Sequence, residues 1–250
     1  MLEVKNLSVG YKEKAIIKNT SISFNKGELV SIIGKNGSGK STLLKSIIGI
    51  LKPDEGKILI DGKDALKLAK NEKAKHVSYL SQGKSAPDMT VMQMVLHGRF
   101  PYLLYPRRYS GNDVATAIQA MKKMGIADLA DMPISSLSGG MQQNAYIAMA
   151  LTQNTDHILL DEPTTYLDIA HQISLMKTLR ELASDGKCIV NVMHDLALAF
   201  RFSDRVILLD KGNILLDGDP REIYNSTIIK DIFGVSLLYE NESNTYSLKY

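Results

Sequence analysis

One segment, Gly34–Ser41, constrains this chain of 250 residues more than any other feature of its sequence. It reads Gly-Lys-Asn-Gly-Ser-Gly-Lys-Ser, follows the apolar run Leu29–Ile33 and opens the helical pattern of Ser41–Ile50. Glycine permits backbone angles that point consecutive N–H groups at one anion, and a helix start adds about half a positive charge. The segment therefore predicts a phosphate-binding loop between a buried strand and a helix.

Two pairs of side chains predict the chemistry at this loop. The ammonium of Lys40 suits the outer phosphates of a nucleotide, and the hydroxyl of Ser41 suits Mg²⁺. The apolar run Ile158–Leu160 ends in Asp161 and Glu162. Because neighbouring strand residues face opposite sides, we expect Asp161 to face the metal and Glu162 to face a water molecule that it orients or deprotonates. Together the two motifs predict a P-loop NTPase.

The order of predicted elements indicates an α/β fold. Strand and helix patterns alternate before residue 84 and after residue 156, whereas the stretch between them is mostly helical. The partly alternating runs Leu2–Val9 and Thr20–Phe24 predict an antiparallel sheet beside a mainly parallel core. We predict a single domain over 1–250, with a P-loop NTPase (RecA-like) core and antiparallel β subdomain at about 1–83 and 157–218, an inserted α-helical subdomain at 84–156, and C-terminal helices with a loosely ordered polar tail at 219–250.

Composition excludes several classes of protein. Lys and Arg number 30 against 27 Asp and Glu, and the formal net charge of +3 is too small to indicate nucleic acid as the main partner. Met1–Val4 does not begin a signal peptide, and the apolar runs are shorter than the ~18 residues that cross a bilayer. A single cysteine, Cys188, fits a reducing compartment. We expect a protein that does not cross a membrane by itself.

With these motifs in one chain, the sequence resembles the ATP-binding subunits of ABC transporters over about residues 1–235. Leu137–Gly140 (Leu-Ser-Gly-Gly) resembles their signature motif. The resemblance implies a Mg²⁺-dependent ATPase that forms an ATP-dependent homodimer. In that dimer Ser138, Gly139 and Gly140 contact the ATP of the partner subunit. These residues also precede a helical segment, so their N–H groups and hydroxyl can face an anion.

The resemblance also implies a role for residues outside the loop. Glu162 activates water, His194 contacts the γ-phosphate, and Gln82 touches Mg²⁺ and relays to the membrane subunit. Asp168 is the interface aspartate, and Tyr11 stacks on adenine. The implied ATP-binding residues are Tyr11, Gly34, Lys35, Asn36, Gly37, Ser38, Gly39, Lys40, Ser41 and Thr42, and the implied metal ligands are Ser41, Gln82 and Asp161.

Two residues depart from the family pattern. The family usually has Gln after Gly140 and Arg after Gln143, whereas this chain has Met141 and Asn144. Met lacks the donor and acceptor of Gln, and Asn144 removes a charge. We expect a weaker contact with the partner's nucleotide.

The segment Asp161–Gln172, with its Thr-Thr-Tyr-Leu-Asp-Ile and His-Gln, is most similar to subunits that import iron–siderophore, haem or vitamin B12. Thr90–Val91 and Gly98–Tyr102 add to that similarity, although widely shared interface and packing residues are the alternative. The segment Lys84–Tyr109 is expected to dock a permease helix. The methionines between residues 84 and 156 suit flexible core filling or, for Met89–Met94, a docking surface. The arginines of Lys84–Tyr109 suit a polar rim or loop carbonyls or, equally, a solvated surface. The arginines are Arg99, Arg107 and Arg108.

The partners implied are transmembrane permease subunits and, indirectly, a substrate-binding protein, with this chain peripheral at the cytoplasmic face of the membrane. Those partners, and not this chain, select the cargo. The choice of an iron chelate rather than cobalamin as cargo is therefore an expectation from the resemblance and not a deduction from the residues. Three alternatives stay open: the ATPase subunit of an exporter, a soluble ABC ATPase acting on nucleic acid or the ribosome, and a regulator that binds ATP without cleaving it. The presence of Glu162 and His194 argues against the last.

Overall fold

The computed structural model describes residues 1–11, 14–83, 87–165, 167–243 and 245–249. The strands are Leu2–Tyr11 (β1), Lys14–Phe24 (β2), Leu29–Ile33 (β3), Glu55–Ile60 (β4), Lys63–Asp64 (β5), Val77–Leu80 (β6), His157–Asp161 (β7), Cys188–Val192 (β8), Arg205–Asp210 (β9), Asn213–Gly218 (β10), Ser236–Glu240 (β11) and Thr245–Lys249 (β12). The α-helices are Lys40–Ile47 (α1), Lys70–His76 (α2), Val91–Leu96 (α3), Gly111–Lys123 (α4), Gly139–Thr152 (α5), Ile169–Ser184 (α6), Leu196–Phe202 (α7), Pro220–Ile223 (α8) and Thr227–Phe233 (α9). Short 3-10 helices cover His97–Tyr102, Ala127–Leu129 and Ile134–Ser136.

The central sheet has the strand order β10-β9-β3-β8-β7-β6 and is parallel except for its β10 edge. Strands β3, β7 and β8 are buried along their whole length, as expected for apolar strands covered on both faces. Because β3, β6, β7 and β8 run in the same direction, their carboxyl ends share one edge of the sheet. The loops that follow these four strands carry the predicted site.

The N-terminal sheet is antiparallel, with the order β2-β1-β4-β5. Its apolar side chains, including Leu2, Val4 and Phe24, share one buried cluster with Val30 of β3 and Leu43 of α1. The first helix is therefore packed in a core that both sheets contribute to. This arrangement confirms the predicted antiparallel sheet beside a parallel core.

The described residues between β6 and β7 form the helices α3, α4 and α5 and the three 3-10 helices, with one isolated β-bridge from Thr90 to Pro133. Ser110 caps α4 by accepting from the Asp113 backbone N–H, and the Asp113 side chain accepts from the Ser110 N–H. The division into subdomains stays a prediction, and its boundary at Lys84 lies outside the described residues.

Arg99 does not form a surface rim. Its side chain is 11% exposed, pairs with Asp113 at 2.8 Å and donates to the Thr152 carbonyl at 3.2 Å. Its guanidinium also lies 3.9 Å from the centre of the Tyr102 ring. The expectation of a polar rim or solvated surface was wrong for Arg99, because the buried carboxylate of α4 requires a cation. Arg107 and Arg108 are exposed.

The methionines follow the core-filling prediction only in part. Met94, Met121 and Met124 are buried, so Met94 cannot belong to a docking surface. Met132 and Met141 are exposed, against the expectation of core filling. Met89 and Met92 are partly buried against the large core, and Met149 packs there as well.

Two regions differ from the sequence prediction. The polar helix α2 was not predicted, and it contains no buried residue. The tail is not loosely ordered, since β11 and β12 pair as an antiparallel hairpin. Tyr246 of β12 is 7% exposed and packs its ring 5.5 Å from that of Phe200 in α7. The hairpin joins the core through this aromatic contact.

Candidate active site

A cleft of about 450 Å³ lies over the carboxyl edge of the central sheet. It gathers most of the predicted site residues from five separate parts of the chain. Its lining is Tyr11, Ile16, Asn36, Gly37, Ser38, Gly39, Lys40, Ser41, Thr42, Gln82, Glu162 and His194.

The floor of the cleft is the loop between β3 and α1. Gly39 has φ +111°, and a Cβ on Gly34 would collide with the carbonyl oxygen of Leu209 in β9. Both positions therefore require glycine. Lys40 lies inside the loop, where its Nζ donates to the Gly34 carbonyl at 2.8 Å and to the Lys35 carbonyl at 3.1 Å. The loop thereby places one cation beside the N-terminus of α1.

Among the residues that line this cleft, Ser38 is buried and Tyr11 is exposed. The Ser38 side chain is buried, and its Oγ is one of three buried side-chain atoms without a hydrogen-bond partner among the described residues. A phosphate oxygen could satisfy that hydroxyl. Tyr11 ends β1 and is 47% exposed, so its ring is open to an incoming base. Ile16 of β2, which sequence analysis did not predict, lines the same cleft.

The start of α1 meets the end of β7 through one hydrogen bond. Ser41 Oγ donates to Asp161 Oδ1 at 2.9 Å, and Tyr79 OH of β6 donates to Asp161 Oδ2 at 3.1 Å. Asp161 is only 2% exposed. Ser41 and Asp161, which are both predicted metal ligands, therefore lie side by side, and Tyr79 is a further neighbour of Asp161 that was not predicted.

Burial sets the electrostatics of these groups. It raises the pKa of Asp161, although hydrogen bonds from Ser41 and Tyr79 oppose the shift. Burial lowers the pKa of Lys40, and the carboxylates of Glu162 and Asp161 oppose that shift. Burial and the Asp161 carboxylate hold the pKa of Tyr79 well above its usual range, so its hydroxyl keeps the proton that it donates. Each charged group therefore depends on its neighbours for stabilisation.

Glu162 is the point at which three strand ends converge. Gln82, two residues after β6, donates through Nε2 to Glu162 Oε2 at 2.5 Å, and His194 Nε2 lies 2.5 Å from Glu162 Oε1. Thr165 Oγ1 donates to Oε2 at 3.4 Å. Gln82 thus contacts the Glu162 carboxylate, which was not predicted, while its contact with the metal stays a prediction.

The backbone explains how Asp161 and Glu162 separate. Strand β7 ends at Asp161, and Glu162 has φ +53°, a left-handed conformation that non-glycine residues rarely adopt. The Glu162 N–H donates to the Val192 carbonyl at 3.1 Å, which holds this turn against β8. The expectation from strand alternation was wrong in its cause: the two carboxylates diverge because the chain leaves the strand.

The signature segment is exposed at the start of α5. Ser138 caps the helix by accepting from the Met141 N–H at 3.3 Å, and both Ser138 and Gly139 are exposed while Gly140 is half-buried. Gly139 lines a second, smaller cavity with Gln82 and Glu162. None of these three signature residues lines the cleft that contains Lys40.

Asp168 caps α6 and is exposed. Its Oδ1 accepts from the His171 N–H at 2.9 Å and lies 2.8 Å from His171 Nδ1. The hydrogen bonds lower the pKa of Asp168. Tyr166, part of the segment used to choose among transporter groups, lies outside the described residues.

Two comparisons bear on the family of this chain. A family model described as ABC transporter matches residues 17–165. The iron(3+)-hydroxamate import ATP-binding protein of Bacillus subtilis is 39% identical over 236 residues, which cover 94% of this chain and 87% of that protein. The chain belongs to the ABC transporter family. ABC ATPases bind ATP and hydrolyse it.

Solved structures agree with this assignment. A transporter described as being of the metal-chelate ABC type, in an inward-facing conformation, contains a chain with 29% identity and a TM-score of 0.85, covering 100% of this chain and 97% of that one. A dimeric ATP-binding cassette in a post-hydrolysis state, bound to ADP and phosphate, is 33% identical with a TM-score of 0.77, covering 88% of this chain and 99% of that one. Within the described residues, no helix has the length and apolar character needed to span a membrane.

Of the two departures from the family pattern, Asn144 has a local structural role. Asn144 Nδ2 donates to the Met124 carbonyl at 3.1 Å, so it joins α5 to the end of α4. Met141 is 41% exposed. Gln143, which matches the family pattern, donates to the Pro163 carbonyl at 2.7 Å. The helix that carries the signature is therefore linked to the turn after Glu162.

Sequence reasoning missed Tyr79, Thr165 and Gln143 as neighbours of the site. Tyr79 lies three residues before Gln82 and Thr165 three after Glu162, so closeness to a motif was the available signal. Their contacts depend on how β6, β7 and α5 pack, which no local pattern encodes.

Proposed function

We propose that this chain is the ATP-hydrolysing subunit of an ABC importer and that its turnover requires Mg²⁺. The observation that carries the proposal is the placement of Glu162. Its carboxylate contacts Gln82 and His194 at the mouth of the cleft whose floor contains Lys40. A phosphate-binding loop and a proton acceptor thus share one space.

The residues present fit Mg²⁺. Ser41 Oγ and Asp161 Oδ1 are hard oxygen donors only 2.9 Å apart, and Mg²⁺ is commonly bound through one or two protein oxygens together with substrate phosphates and water. Ser41 and Asp161 would hold the ion, with Gln82 close by. There it would neutralise charge on the β- and γ-phosphate oxygens.

The roles of the protein side chains follow from their positions. Lys40 and the N–H groups that open α1 bind the phosphates, and Ser38 Oγ supplies a further donor. Glu162 accepts a hydrogen bond from the attacking water and takes its proton, while Gln82 and His194 hold the carboxylate in place. His194 is 44% exposed in its side chain, which leaves it able to reach the γ-phosphate.

We further propose that two chains form an ATP-dependent homodimer in which each signature segment binds the nucleotide of the other chain. Ser138 and Gly139 are exposed and lie outside the cleft of their own chain. A helix start with a serine cap favours an anion. The dimeric cassette among the solved relatives supports this arrangement. Asp168, exposed at the start of α6, is assigned to the interface.

The proposed cargo is an iron chelate, with haem and cobalamin as the alternatives. The support is the similarity to the iron(3+)-hydroxamate import ATP-binding protein of Bacillus subtilis and the metal-chelate type of the structural neighbour. The proposed partners are permease subunits, with a substrate-binding protein acting indirectly. The chain would lie peripherally at the cytoplasmic face of the membrane.

Uptake by cells tests this function. Cells that carry Lys40→Ala in place of the wild-type gene should lose uptake of one labelled cargo among ferric hydroxamate, ferric catecholate, haem and cobalamin. The reason is that loss of the ammonium removes a charge-assisted contact with the phosphates and with it the ATP that drives transport. The measurement is the initial rate of label accumulation, with Lys57→Ala, an exposed lysine of β4 outside the cleft, as the matched control.

A cargo whose uptake falls at least tenfold with Lys40→Ala and not with Lys57→Ala identifies the transporter. Unchanged uptake of all four cargoes would contradict the importer proposal. Export of a labelled compound that depended on Lys40 would instead support the exporter alternative.

A further inference from the structure

The carboxylate of Asp161 is held at both of its oxygens. Oδ1 accepts from Ser41 of α1 and Oδ2 accepts from Tyr79 of β6, at 2.9 Å and 3.1 Å. These donors come from two different elements, the helix α1 and the strand β6 that neighbours β7. The two bonds act on a side chain that is 2% exposed, where a lost hydrogen bond is not replaced easily by water.

The hydrogen bond from Tyr79 fixes the terminal side-chain torsion of Asp161, which the backbone leaves free. The terminal torsion of an aspartate is broad, so the position of β7 does not fix the plane of the Asp161 carboxylate. A donor on each oxygen does fix it. With Tyr79 on Oδ2, Oδ1 faces Ser41, which is the orientation that two oxygen ligands of one small ion require.

Packing alone does not hold the Tyr79 ring. The ring is half-buried against the core shared by both sheets, and it lines a cavity of about 550 Å³ together with Ile48 and Ile50. Space beside the ring means that the hydroxyl bond to Asp161 also determines where the ring lies. Tyr79 is three residues before Gln82, so one short segment places donors on both Asp161 and Glu162.

We propose that Tyr79 is a positioning residue of the metal–nucleotide site, whose hydroxyl orients the Asp161 carboxylate toward Ser41. The proposal rests on the proposed function, in which Ser41 and Asp161 hold Mg²⁺. Tyr79 itself touches neither the metal nor the nucleotide.

The test compares Tyr79→Phe with Tyr102→Phe. Both variants keep the aromatic ring and lose one hydroxyl bond, since Tyr102 OH donates to the Gln153 carbonyl at 2.9 Å in the helical part of the chain. Mn²⁺ replaces Mg²⁺, and the electron paramagnetic resonance signal of free Mn²⁺ gives the affinity of the ATP-bound protein for the metal. Binding of a fluorescent ATP analogue in EDTA gives the nucleotide affinity without metal.

We expect Tyr79→Phe to weaken Mn²⁺ binding by roughly 3- to 10-fold, because one hydrogen bond to a buried carboxylate is lost. Its nucleotide affinity in EDTA should equal that of the wild type, and saturating Mg²⁺ should restore most of its turnover. Tyr102→Phe should match the wild type in both metal and nucleotide affinity.

Equal Mn²⁺ affinity of Tyr79→Phe and wild type would overturn the positioning role. A Tyr79→Phe variant that lost metal-free nucleotide affinity to the same extent would overturn it too, since that result indicates general damage. Absence of ATP-dependent Mn²⁺ binding by the wild type is a different outcome, and it would reject the proposed function itself.

Discussion

At the scale of single residues, the site is organised around two carboxylates with different surroundings. Asp161 is buried and accepts from two hydroxyls, whereas Glu162 contacts an amide, an imidazole and a hydroxyl at the rim of the cleft. The left-handed backbone at Glu162 creates this difference between adjacent residues. We infer that the same turn gives one carboxylate to the metal and the other to water.

The ion pair between Arg99 and Asp113 stabilises the helical part of the chain. Arg99→Met should lower the free energy of unfolding by about 3–5 kcal/mol, because Asp113 would be left as a buried charge without its cation. Urea denaturation at neutral pH measures the loss. Arg107→Met is the matched control, since Arg107 is exposed and only approaches the Phe100 ring at 5.3 Å. Equal effects of the two variants would contradict the structural role of Arg99.

The same pair predicts a pH dependence with a definite sign. Burial opposes ionisation of Asp113, but hydrogen bonds from Arg99 and Ser110 outweigh it and lower the pKa of the carboxyl. A lowered folded-state pKa contributes stability above the ordinary value of 3.8, and that contribution is lost as pH falls through the folded value. The gap between wild type and Arg99→Met should therefore stay constant from neutral pH to about 5 and shrink in stronger acid.

Residue types and spacing predicted the site residues, but not what joins them. Lys40, Asp161 and Glu162 each belong to a motif whose chemistry needs that side chain at that spacing. Tyr79 and Asp161 are 82 positions apart, and Arg99 and Asp113 meet because α3 and α5 pack against both of the helices that carry them. Such contacts arise from packing and leave no local pattern.

At the scale of elements, strand ends carry the proposed catalytic and metal-binding residues, and helix starts carry the proposed anion sites. The parallel strands β3, β6, β7 and β8 place four loops at one edge, and α1 and α5 each begin with exposed or cleft-lining N–H groups. Most of these elements were predicted, because buried strands and amphipathic helices have clear periodicity. Helix α2 was missed because it is polar all round and buries no residue.

The tail shows why elements at the end of a chain are harder to predict. Strands β11 and β12 are only five residues long and are separated by the polar stretch Asn241–Asn244, so their Leu and Tyr residues gave a weak signal. Tyr246 nevertheless lies among the rings of Phe200, Tyr224 and Tyr239, with centroid distances of 5.5, 6.0 and 4.8 Å. Aromatic packing against α7 therefore makes this hairpin part of the core.

Truncation of that ring measures how much the hairpin contributes. Tyr246→Ala should lower the free energy of unfolding by about 3 kcal/mol, in the range for large buried aromatic side chains. Leu238→Ala on the neighbouring strand β11, where the side chain is 50% exposed, should cost less than about 1 kcal/mol. Thermal and urea unfolding provide both values. A Tyr246→Ala protein as stable as Leu238→Ala would mean that the hairpin is not part of the core.

At the scale of the whole molecule, one chain carries two helix starts suited to phosphate and one carboxylate site for metal. The cleft contains the start of α1, while the start of α5 is exposed and lies outside the cleft. A single chain therefore leaves one anion-binding surface unused. Pairing of two chains about a two-fold axis would use both surfaces twice, which the sequence motifs imply and a monomer cannot achieve.

The most direct test of this account is the mass of the Glu162→Gln protein measured by light scattering. Loss of the proton acceptor should block hydrolysis while the loop, Ser41 and Asp161 still bind ATP and Mg²⁺. With both present the variant should have twice the mass of one chain, and it should return to a single chain with ADP. Adding Ser138→Arg should abolish the dimer while ATP binding to each chain remains. A Glu162→Gln protein that binds ATP and Mg²⁺ yet stays monomeric would contradict the shared nucleotide site. A dimer that persists when Ser138→Arg is added would contradict it too.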